Sequence, residues 1–414
     1  LVELSEESLF TRSLKLPSRP HQTPLEKRIK RHVLGRDRDF FASTIPGFET
    51  LLRSEFAEVP GSHEHTAIAG GGVEFSGRLK TCYLANLRLR TAHRVLMRLT
   101  TFRATNFRQL RRRLQEFPWE LFLSPGTEPA LSITTKHSRL YHTDAIGGHI
   151  EESIKERLSA GAPSSEVRTH APPRIKVFVR SVDDVFTLSL DSSGEHLHKR
   201  GIKTHPAEAP IRETIAAAAL MLVGYDGSRP LVDPMCGSGT FSLEAALIYR
   251  NFPPGWFRDF DFMTWPAFRP RQWAHIRKDM EQGFRPPPDR PTVWASDTDQ
   301  IACATLQETV DRAGLSDTVS VSETDFFDLF PADIPGNPGI VTINPPYGHR
   351  IGTLKESNAL FEEICRKLKT DYRGWRLVLI VPRKHLLDQL PFRLHCHALH
   401  HGGLKLGLLT GTID

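Results

Sequence analysis

The clearest pattern of apolar and polar positions lies in Leu231–Ile248, with the sequence LVDPMCGSGTFSLEAALI. It predicts a short buried strand ending at Asp233, a tight turn with Gly237 and Gly239, and a helix that begins near Thr240. In doubly wound α/β proteins, glycines at this turn let the backbone approach a ligand, and free N–H groups of the next helix point towards it. An acid at the strand end favours a ligand with hydroxyl or amino donors over a bare phosphate.

The same alternation of strands and helices continues to the C-terminus and predicts a parallel sheet. Strands are predicted at 292–296, 319–322, 340–343 and 375–381, helices at 209–223, 272–282 and 354–370, and edge strands in the His-rich end with 405–412. Asp297, Asp325 and Asn344 each follow a strand, so we expect one pocket to hold them together with Asp233. A Pro- and aromatic-rich insertion, 251–291, is expected to reach the substrate.

The N-terminal half has the mixed pattern of a small α+β region. Strands are predicted at 73–75, 94–100, 131–135, 175–180 and 185–190, and helices at 79–90, 107–121 and 150–158. Residues 191–204 are polar and turn-rich, which predicts a hinge between the two halves. Residues 1–36 show no sustained periodicity and contain a basic run, which is typical of a mobile arm or a partly ordered extension.

Basic residues are concentrated in the N-terminal quarter of the 414-residue chain, whose formal net charge is +6. Between Lys27 and Arg113 there are 18 Lys and Arg against 7 Asp and Glu. This segregation favours a partner with a phosphate backbone, although a solvated face is the alternative for any single run of arginines. The candidate residues for binding a nucleic acid are Arg88, Arg94, Arg108, Arg111, Arg112 and Arg113.

Composition limits the class of protein. Hydrophobic content of 39% and charged content of 25% are typical of a soluble globular protein. No apolar run is long enough to span a bilayer and no signal peptide is visible, so we expect a cytoplasmic protein without a membrane partner. The five cysteines lack CxxC pairs and zinc-ligand spacing, and the histidines of 395–401 lack organised partners, so no metal is predicted.

A second motif, Val341–Gly348 with the sequence VTINPPYG, also runs from a strand into a tight turn. The pair DPMCGSGT and NPPYG resembles the S-adenosylmethionine-dependent methyltransferases that modify exocyclic amino groups. Among these, it resembles most closely the THUMP-containing guanine-N2 methyltransferases of ribosomal RNA, over roughly residues 38–381.

The resemblance implies an α/β fold. A Rossmann-like class I methyltransferase domain, with a mostly parallel seven-stranded sheet, is preceded by an α+β ferredoxin-like and THUMP region that holds RNA. The implied domains are a basic mobile extension at 1–36, a ferredoxin-like segment at 37–100, a THUMP-like RNA-binding domain at 101–190, a linker at 191–208 and the methyltransferase domain at 209–414.

The resemblance also implies S-adenosylmethionine as the cofactor. Asp297 is expected at its ribose hydroxyls, with Asp299 as a rival, and Asp325 at its adenine amino group with Phe326 beside the ring. The other candidate cofactor-binding residues are Asp233, Pro234, Cys236, Gly237, Gly239, Thr240 and Thr214, with Glu213 nearby. Helix capping alone is the alternative role for the acids. A dinucleotide is disfavoured, because Gly239 is not followed by the third glycine of the phosphate-binding fingerprint.

Asn344, Pro345, Pro346 and Tyr347 are the candidate catalytic residues. An exocyclic amine is a poor nucleophile because its lone pair is delocalised into the base. If Asn344 Oδ1 and the Pro345 carbonyl accept its hydrogens, the lone pair localises on nitrogen. The prolines fix the backbone, and Tyr347 is placed to stack on a flipped base. Carbon methylation of pyrimidines is disfavoured, because no cysteine nucleophile is predicted near this loop.

The predicted function is therefore methylation of guanine N2 in RNA, with large-subunit ribosomal RNA favoured over transfer RNA. A transfer-RNA guanine-N2 methyltransferase is the nearest alternative, followed by an adenine-N6 DNA methyltransferase. A noncatalytic RNA-binding or assembly factor is the alternative from a different class.

Overall fold

Two seven-stranded sheets organise the computed structural model. It describes residues 23–62, 66–159, 174–203, 211–336, 338–346, 354–382, 390–401 and 403–414. One sheet is formed by the N-terminal half and the other by the C-terminal half. No helix among these residues combines the length and the apolar character needed to cross a membrane.

The N-terminal sheet has the order β2-β3-β1-β4-β7-β6-β5. Its strands are β1 Arg38–Ser43, β2 Ala67–Ala69, β3 Gly72–Gly77, β4 Arg94–Arg103, β5 Glu128–Lys136, β6 Arg174–Val182 and β7 Val185–Asp191. Strands β5 and β6 run parallel and the other neighbours antiparallel. Because β4 pairs with β7, with Met97 opposite Leu190, a single sheet runs through the predicted segments 37–100 and 101–190.

The helices of this half are α1 Pro24–Ile29, α2 Glu49–Glu55, α3 Leu79–Arg88, α4 Phe107–Glu116 and α5 Thr143–Ser159. Helix α4 ends earlier than the predicted 107–121. Pro118 lacks an N–H and disfavours helical geometry at the residue before it, and only a short 3₁₀ turn, Trp119–Leu121, follows.

Part of the predicted mobile arm is ordered. Helix α1 continues into a π-helical turn, Lys30–Leu34, and the side chains of Ile29 and Val33 are buried in the N-terminal core. Their spacing of four residues places both on one helix face, which explains the burial. Residues 24–34 are therefore not a mobile arm and agree with the alternative of a partly ordered extension, and residues 1–22 lie outside the described part of the chain.

The C-terminal sheet has the order β10-β9-β8-β11-β12-β14-β13. Its strands are β8 Leu231–Asp233, β9 Val293–Asp297, β10 Val319–Glu323, β11 Ile340–Ile343, β12 Arg376–Pro382, β13 His395–His401 and β14 Leu404–Thr412. The first five in this order are parallel, and β14 pairs antiparallel with β12 and β13. The helices are α6 Glu213–Leu222, α7 Thr240–Tyr249, α8 Pro270–Glu281, α9 Gln300–Arg312 and α10 Leu354–Asp371. The predicted mostly parallel, Rossmann-like sheet is confirmed.

The insertion at 251–291 packs against the N-terminal half. The Phe262 ring stacks on Tyr83 of α3 with centroids 4.3 Å apart, and Trp273 lies edge-on to Phe262 at 5.3 Å. Both insertion side chains belong to the N-terminal core. No described residue of the insertion lines the cavity described below, so the structure does not place it at the expected substrate site. Its aromatic side chains instead connect the two sheets.

The start of the predicted hinge is firmly held. Ser192 and Ser193 are fully buried. Arg258 of the insertion donates hydrogen bonds of 2.7–2.9 Å to the carbonyls of Ser193, Glu195, His196 and Lys199. This segment is therefore a bound connection between the halves, and residues 204–210 lie outside the described range.

Candidate active site

A cavity of ≈ 890 Å³ lies at the carboxyl ends of the central parallel strands. Asp233 is the last residue of β8, Asp297 is the last residue of β9, and Asn344 comes directly after β11. Asp325 follows β10 by two residues. All four side chains line the cavity, so the structure brings the strand-end residues to one place.

Two glycines shape the turn between β8 and α7. Gly237 and Gly239 have φ angles of 48° and 68°, in the left-handed region that favours glycine. The Gly237 N–H donates to Asp297 Oδ2 at 2.8 Å, which joins the turn to β9. A Cβ on Gly239 would lie 2.2 Å from Leu306 Cδ1. Gly239 is not among the lining residues, so its described role is close packing against α9.

Asp233 is almost completely buried at the start of this turn. Its Oδ2 accepts hydrogen bonds from Ser242 Oγ at 2.6 Å and Ser242 N at 3.2 Å. Burial raises the pKa of this carboxyl to about 6, the Ser242 hydrogen bonds act in the opposite direction, and nearby Asp297 raises it further. Asp233 thus fixes the beginning of α7 while lining the cavity.

The two acids after β9 have different partners. Asp299 caps α9, since its Oδ1 accepts from Ile301 N at 2.9 Å and Ala302 N at 3.1 Å. Asp297 Oδ1 accepts from Asp299 N at 3.1 Å. The capping alternative therefore describes Asp299 better than Asp297. Asp297 remains the candidate for binding ribose hydroxyls.

The end of the cavity near β10 combines an acid with apolar side chains. Asp325 Oδ1 accepts from Phe327 N at 2.9 Å, capping the short turn Phe326–Asp328, and Phe326 is buried in the adjoining core. Ile301 lines the same cavity with 78% of its surface exposed. Sequence reasoning missed Ile301, whose only signal was its position in the first turn after the capping acid.

Asn344 carries the most unusual polar atom of the site. Its Oδ1 is buried and has no hydrogen-bond partner among the described residues. Burying an unpaired acceptor is unfavourable, so such an atom points to a ligand that supplies the missing donor. Pro346 also lines the cavity, whereas Pro345 is buried and does not. Tyr347 lies outside the described residues.

The remaining predicted cofactor residues divide into two groups. Pro234, Cys236 and Thr240 line the cavity. Burial, together with nearby Asp233, raises the pKa of the Cys236 thiol well above its usual range, so the thiol stays protonated. Thr214 is fully buried and is not among the lining residues.

One lining residue missed by sequence reasoning is Lys203. Its Nζ lies 2.7 Å from Thr240 Oγ1, 3.2 Å from Ser238 Oγ and 3.4 Å from Glu213 Oε1. The linker sequence gave no periodic or motif signal that would have selected it. Glu213, expected near the ligand, is not among the lining residues, but it contacts Lys203, which is.

The predicted RNA-binding arginines are not equivalent. Arg108, Arg111, Arg112 and Arg113 are exposed on α4, and Arg88 is half-buried, 3.6 Å from Glu58. Arg94 is buried in an ion pair with Asp191 and also donates to the carbonyl of Gly194. The assignment of Arg94 to an RNA-binding surface is therefore wrong, because its charge is used inside the N-terminal half.

The donor and acceptor groups of the cavity fit the implied cofactor. Asp233, Asp297, Asp299 and Asp325 give the described lining four carboxylates, and Lys203 is its single cation. Carboxylates accept hydrogen bonds from hydroxyl and amino groups and attract a sulfonium cation. The same charge balance disfavours a polyphosphate. No group of three or more His, Cys, Asp or Glu among the described residues is arranged to hold a metal ion.

Two family descriptions match the chain. One is "RMKL-like, methyltransferase domain" over residues 200–399, and the other is "RlmL ferredoxin-like domain" over residues 39–96. The first covers the catalytic sheet with its cavity as far as β13, and the second covers the beginning of the N-terminal sheet.

Similar proteins are methyltransferases by name. Ribosomal RNA large subunit methyltransferase K/L of Methylococcus capsulatus is 32% identical over 388 residues, which are 91% of this chain and 51% of that protein. A putative RNA methyltransferase of Synechocystis is 30% identical over 374 residues, which are 90% of this chain and 96% of that protein. The chain thus spans about half the length of the K/L relative and nearly all of the Synechocystis protein.

The solved structure of SMU.472, a putative methyltransferase complexed with SAH, is similar throughout. The TM-score is 0.78 at 25% sequence identity, covering 92% of this chain and 99% of that chain.

Proposed function

The chain belongs to the RMKL-like family of S-adenosylmethionine-dependent methyltransferases, and from this premise we propose that it methylates guanine N2 in large-subunit ribosomal RNA. The observation that carries the proposal is the buried Oδ1 of Asn344 on the cavity wall, which has no hydrogen-bond partner among the described residues. An acceptor in this position is suited to an amino group, which has hydrogens to donate.

Residues at the strand ends would hold the cofactor, which supplies the methyl group when bound. Asp297 is suited to the ribose hydroxyls, and Asp325 to the adenine amino group, with Phe326 and Ile301 as apolar neighbours. Asp233, Pro234, Cys236 and the Gly237 turn border the remaining part of the cavity. These assignments rest on the donor and acceptor types of the side chains and on their common location.

Asn344 and Pro345 would orient the amine of the base. Asn344 Oδ1 accepts one amine hydrogen and the Pro345 carbonyl accepts the other, which localises the nitrogen lone pair. The two prolines restrict the backbone, so these acceptors are preorganised rather than recruited during the reaction. The rate enhancement then comes from positioning, and the amine proton is lost to water. Tyr347 is proposed to stack on the flipped guanine.

The N-terminal half is the proposed RNA-holding part of the protein. Its segment 101–190 carries α4, whose exposed arginines are suited to phosphate contacts. The similar K/L protein is named for large-subunit ribosomal RNA, which favours that substrate over transfer RNA. We place the reaction in the cytoplasm, in agreement with the five free cysteines.

The test is transfer of labelled methyl groups to RNA from cells that lack this protein, followed by nucleoside analysis of separated ribosomal and transfer RNA. We expect N2-methylguanosine in large-subunit ribosomal RNA, and no label with the Asn344→Ala variant. Label confined to transfer RNA would overturn the substrate, and N6-methyladenosine would overturn the reaction. No label in any RNA, with S-adenosylhomocysteine binding confirmed, would favour the noncatalytic alternative.

A further inference from the structure

Lys203 is a cation in an otherwise acidic cavity. It stands at the end of the described linker, and its ammonium group contacts two hydroxyls of the β8–α7 turn, those of Ser238 and Thr240. The side chain is mostly buried, with 18% of its surface exposed, and Glu213 is its charged neighbour. A lysine would not be expected here for surface solubility, because it faces the cavity rather than the solvent.

The backbone that carries Lys203 is anchored on its N-terminal side. Arg200 is buried, and its Nε donates to Glu244 Oε1 of α7 at 2.8 Å. The Arg200 Nη atoms donate to the carbonyls of Leu197 at 2.9 Å and Arg90 at 2.7 Å. Arg312 of α9 donates to the carbonyl of Ile202 at 2.6 Å. Lys203 therefore starts from a fixed backbone position, as a binding residue needs.

The position of Lys203 in the cavity suggests which part of the cofactor it contacts. Asp297 ends β9 and Asp325 follows β10, strands that lie on one side of β8, and both acids are suited to the nucleoside. Lys203 contacts the turn after β8 itself. The amino-acid end of S-adenosylmethionine carries its only carboxylate, and Lys203 is the only cation of the described lining.

We propose that Lys203, together with the hydroxyls of Ser238 and Thr240, binds the carboxylate of the cofactor's methionine moiety; this rests on the proposed assignment of the cavity to S-adenosylmethionine. The ammonium group has three donors and no acceptor. Where it donates to the two hydroxyl oxygens, each hydroxyl keeps its own hydrogen for the carboxylate. Glu213 holds the ammonium in place from the side of α6.

The experiment compares three ligands by isothermal titration calorimetry on the full chain. S-adenosylmethionine has the carboxylate, decarboxylated S-adenosylmethionine lacks only that group, and 5′-methylthioadenosine lacks the whole amino-acid end. With Lys203→Met, we expect the affinity for S-adenosylmethionine to fall about tenfold or more, as for a lost hydrogen bond to a charged group. Affinity for 5′-methylthioadenosine should stay within about twofold, and that for the decarboxylated cation should be unchanged or higher because a like charge has been removed.

Lys199→Met is the matched control. Lys199 lies on the same linker and pairs with Glu195 at the surface, so its replacement removes the same charge without touching the cavity. This variant should bind all three ligands like the wild type. Should Lys203→Met fold poorly, the pair Lys203→Gln/Glu213→Gln removes both charges of the ion pair and should lose affinity with the same preference for the carboxylate ligand.

Three results would overturn the proposal. An equal loss of affinity for all three ligands would give Lys203 a merely structural role, and unchanged affinity for S-adenosylmethionine would remove it from the site. A wild-type protein that binds none of the ligands would refute the assignment of the cavity. The last result is distinguishable from a failure of the RNA proposal, because no RNA is present in the titration.

Discussion

Asn344 is the residue of the described cavity lining whose side chain carries a buried polar atom without a hydrogen-bond partner. Its buried Oδ1 has no partner within the described chain, although Asp233, Asp297 and Asp325 in the same cavity all accept protein hydrogen bonds. An unpaired buried acceptor lowers stability by about 1–3 kcal/mol. Because this atom faces the cavity, where a ligand can supply the missing donor, activity and stability should respond differently to its removal.

We expect Asn344→Ala to lower the single-turnover rate of methyl transfer on the order of a thousandfold, because an oriented acceptor is lost. Binding of S-adenosylhomocysteine should change by less than about threefold, and the free energy of unfolding should not fall, since an unsatisfied group has been removed. Single-turnover assays measure the rate of methyl transfer, calorimetry measures the binding of S-adenosylhomocysteine, and urea unfolding measures the free energy of unfolding. Normal turnover by the variant would refute the mechanism, and a large loss of stability would show that Oδ1 has a structural partner.

The buried carboxyl group of Asp233 makes the free energy of unfolding depend on pH. Its carboxyl has a pKa of about 6 in the folded protein, above the ordinary 3.8, because it is buried. The folded state therefore binds this proton more tightly than the unfolded chain does. The resulting stabilisation is complete below about pH 4 and is lost as the pH rises through about 6.

Asp233→Asn should therefore raise the free energy of unfolding at pH 7.5 by up to about 3 kcal/mol relative to wild type, and have much less effect at pH 4. The amide oxygen can still accept from Ser242. Some pH dependence should remain in the variant, because burial also raises the pKa of Asp191 to about 6. Urea unfolding at both pH values tests this, and an equal change at the two would contradict it.

At the scale of the element, the catalytic strands follow the sequence pattern closely. Strand β8 is found at the predicted residues, and β11 likewise, because strands buried on both faces are mostly apolar runs, and here each run ends at a polar residue, Asp233 or Asn344. Helix α5 begins at Thr143, seven residues before the predicted start, since its first two turns are rich in polar residues and glycine and contain a single large apolar residue, Ile146. Local pattern identifies an element best where burial is complete.

The sequence shows which elements are rich in charged residues, but not which of those residues are exposed in the fold. Arg94 and the arginines of α4 look alike in sequence, yet Arg94 pairs with Asp191, 97 residues away. Only the pairing of β4 with β7 brings those two together. Of the arginines predicted to bind RNA, those of α4 are exposed, and their contribution can be tested separately.

We expect Arg108→Glu/Arg112→Glu, two exposed positions one turn apart on α4, to weaken RNA binding and to reduce the slope of log affinity against log salt by about two. Filter binding at several salt concentrations gives the slope. Arg271→Glu/Lys278→Glu is the control, since it makes the same charge change at exposed positions of α8. An unchanged slope in the α4 variant, or an equal loss in the control, would mean that α4 is only a solvated face.

At the scale of the whole molecule, sequence reasoning found the fold class and the shared pocket of strand-end residues but not how the halves are joined. The continuous N-terminal sheet depends on strand pairs about 90 residues apart, as in Met97 and Leu190. The insertion reads locally as a Pro-rich segment with one helix, and the aromatic partner of Phe262 on α3 lies far from it in the sequence. Contacts between distant segments leave no periodic signal in either segment, so neither feature could be predicted.

Arg258 tests whether the two halves behave as one unit. Four linker carbonyls accept hydrogen bonds from its guanidinium, and burial lowers its pKa to about 10, so it is fully charged at neutral pH. Loss of these bonds by Arg258→Met should lower the free energy of unfolding by about 2–4 kcal/mol and separate one thermal transition into two. A less rigid connection between the halves should also reduce methyl transfer to RNA more than binding of S-adenosylhomocysteine. Only methyl transfer to RNA needs the two halves in a fixed relative position.

Differential scanning calorimetry measures the transitions, and Arg271→Met provides the control, since it removes the same charge from an exposed position of the same insertion. Two transitions in the wild type would mean that the halves fold independently despite the bound linker. One unshifted transition in Arg258→Met would assign the connection to the aromatic contacts of Phe262 and Trp273 with α3 instead. Because the arginine and the aromatic side chains lie on the same insertion, the separate variants show which type of contact holds the N-terminal half against the C-terminal half.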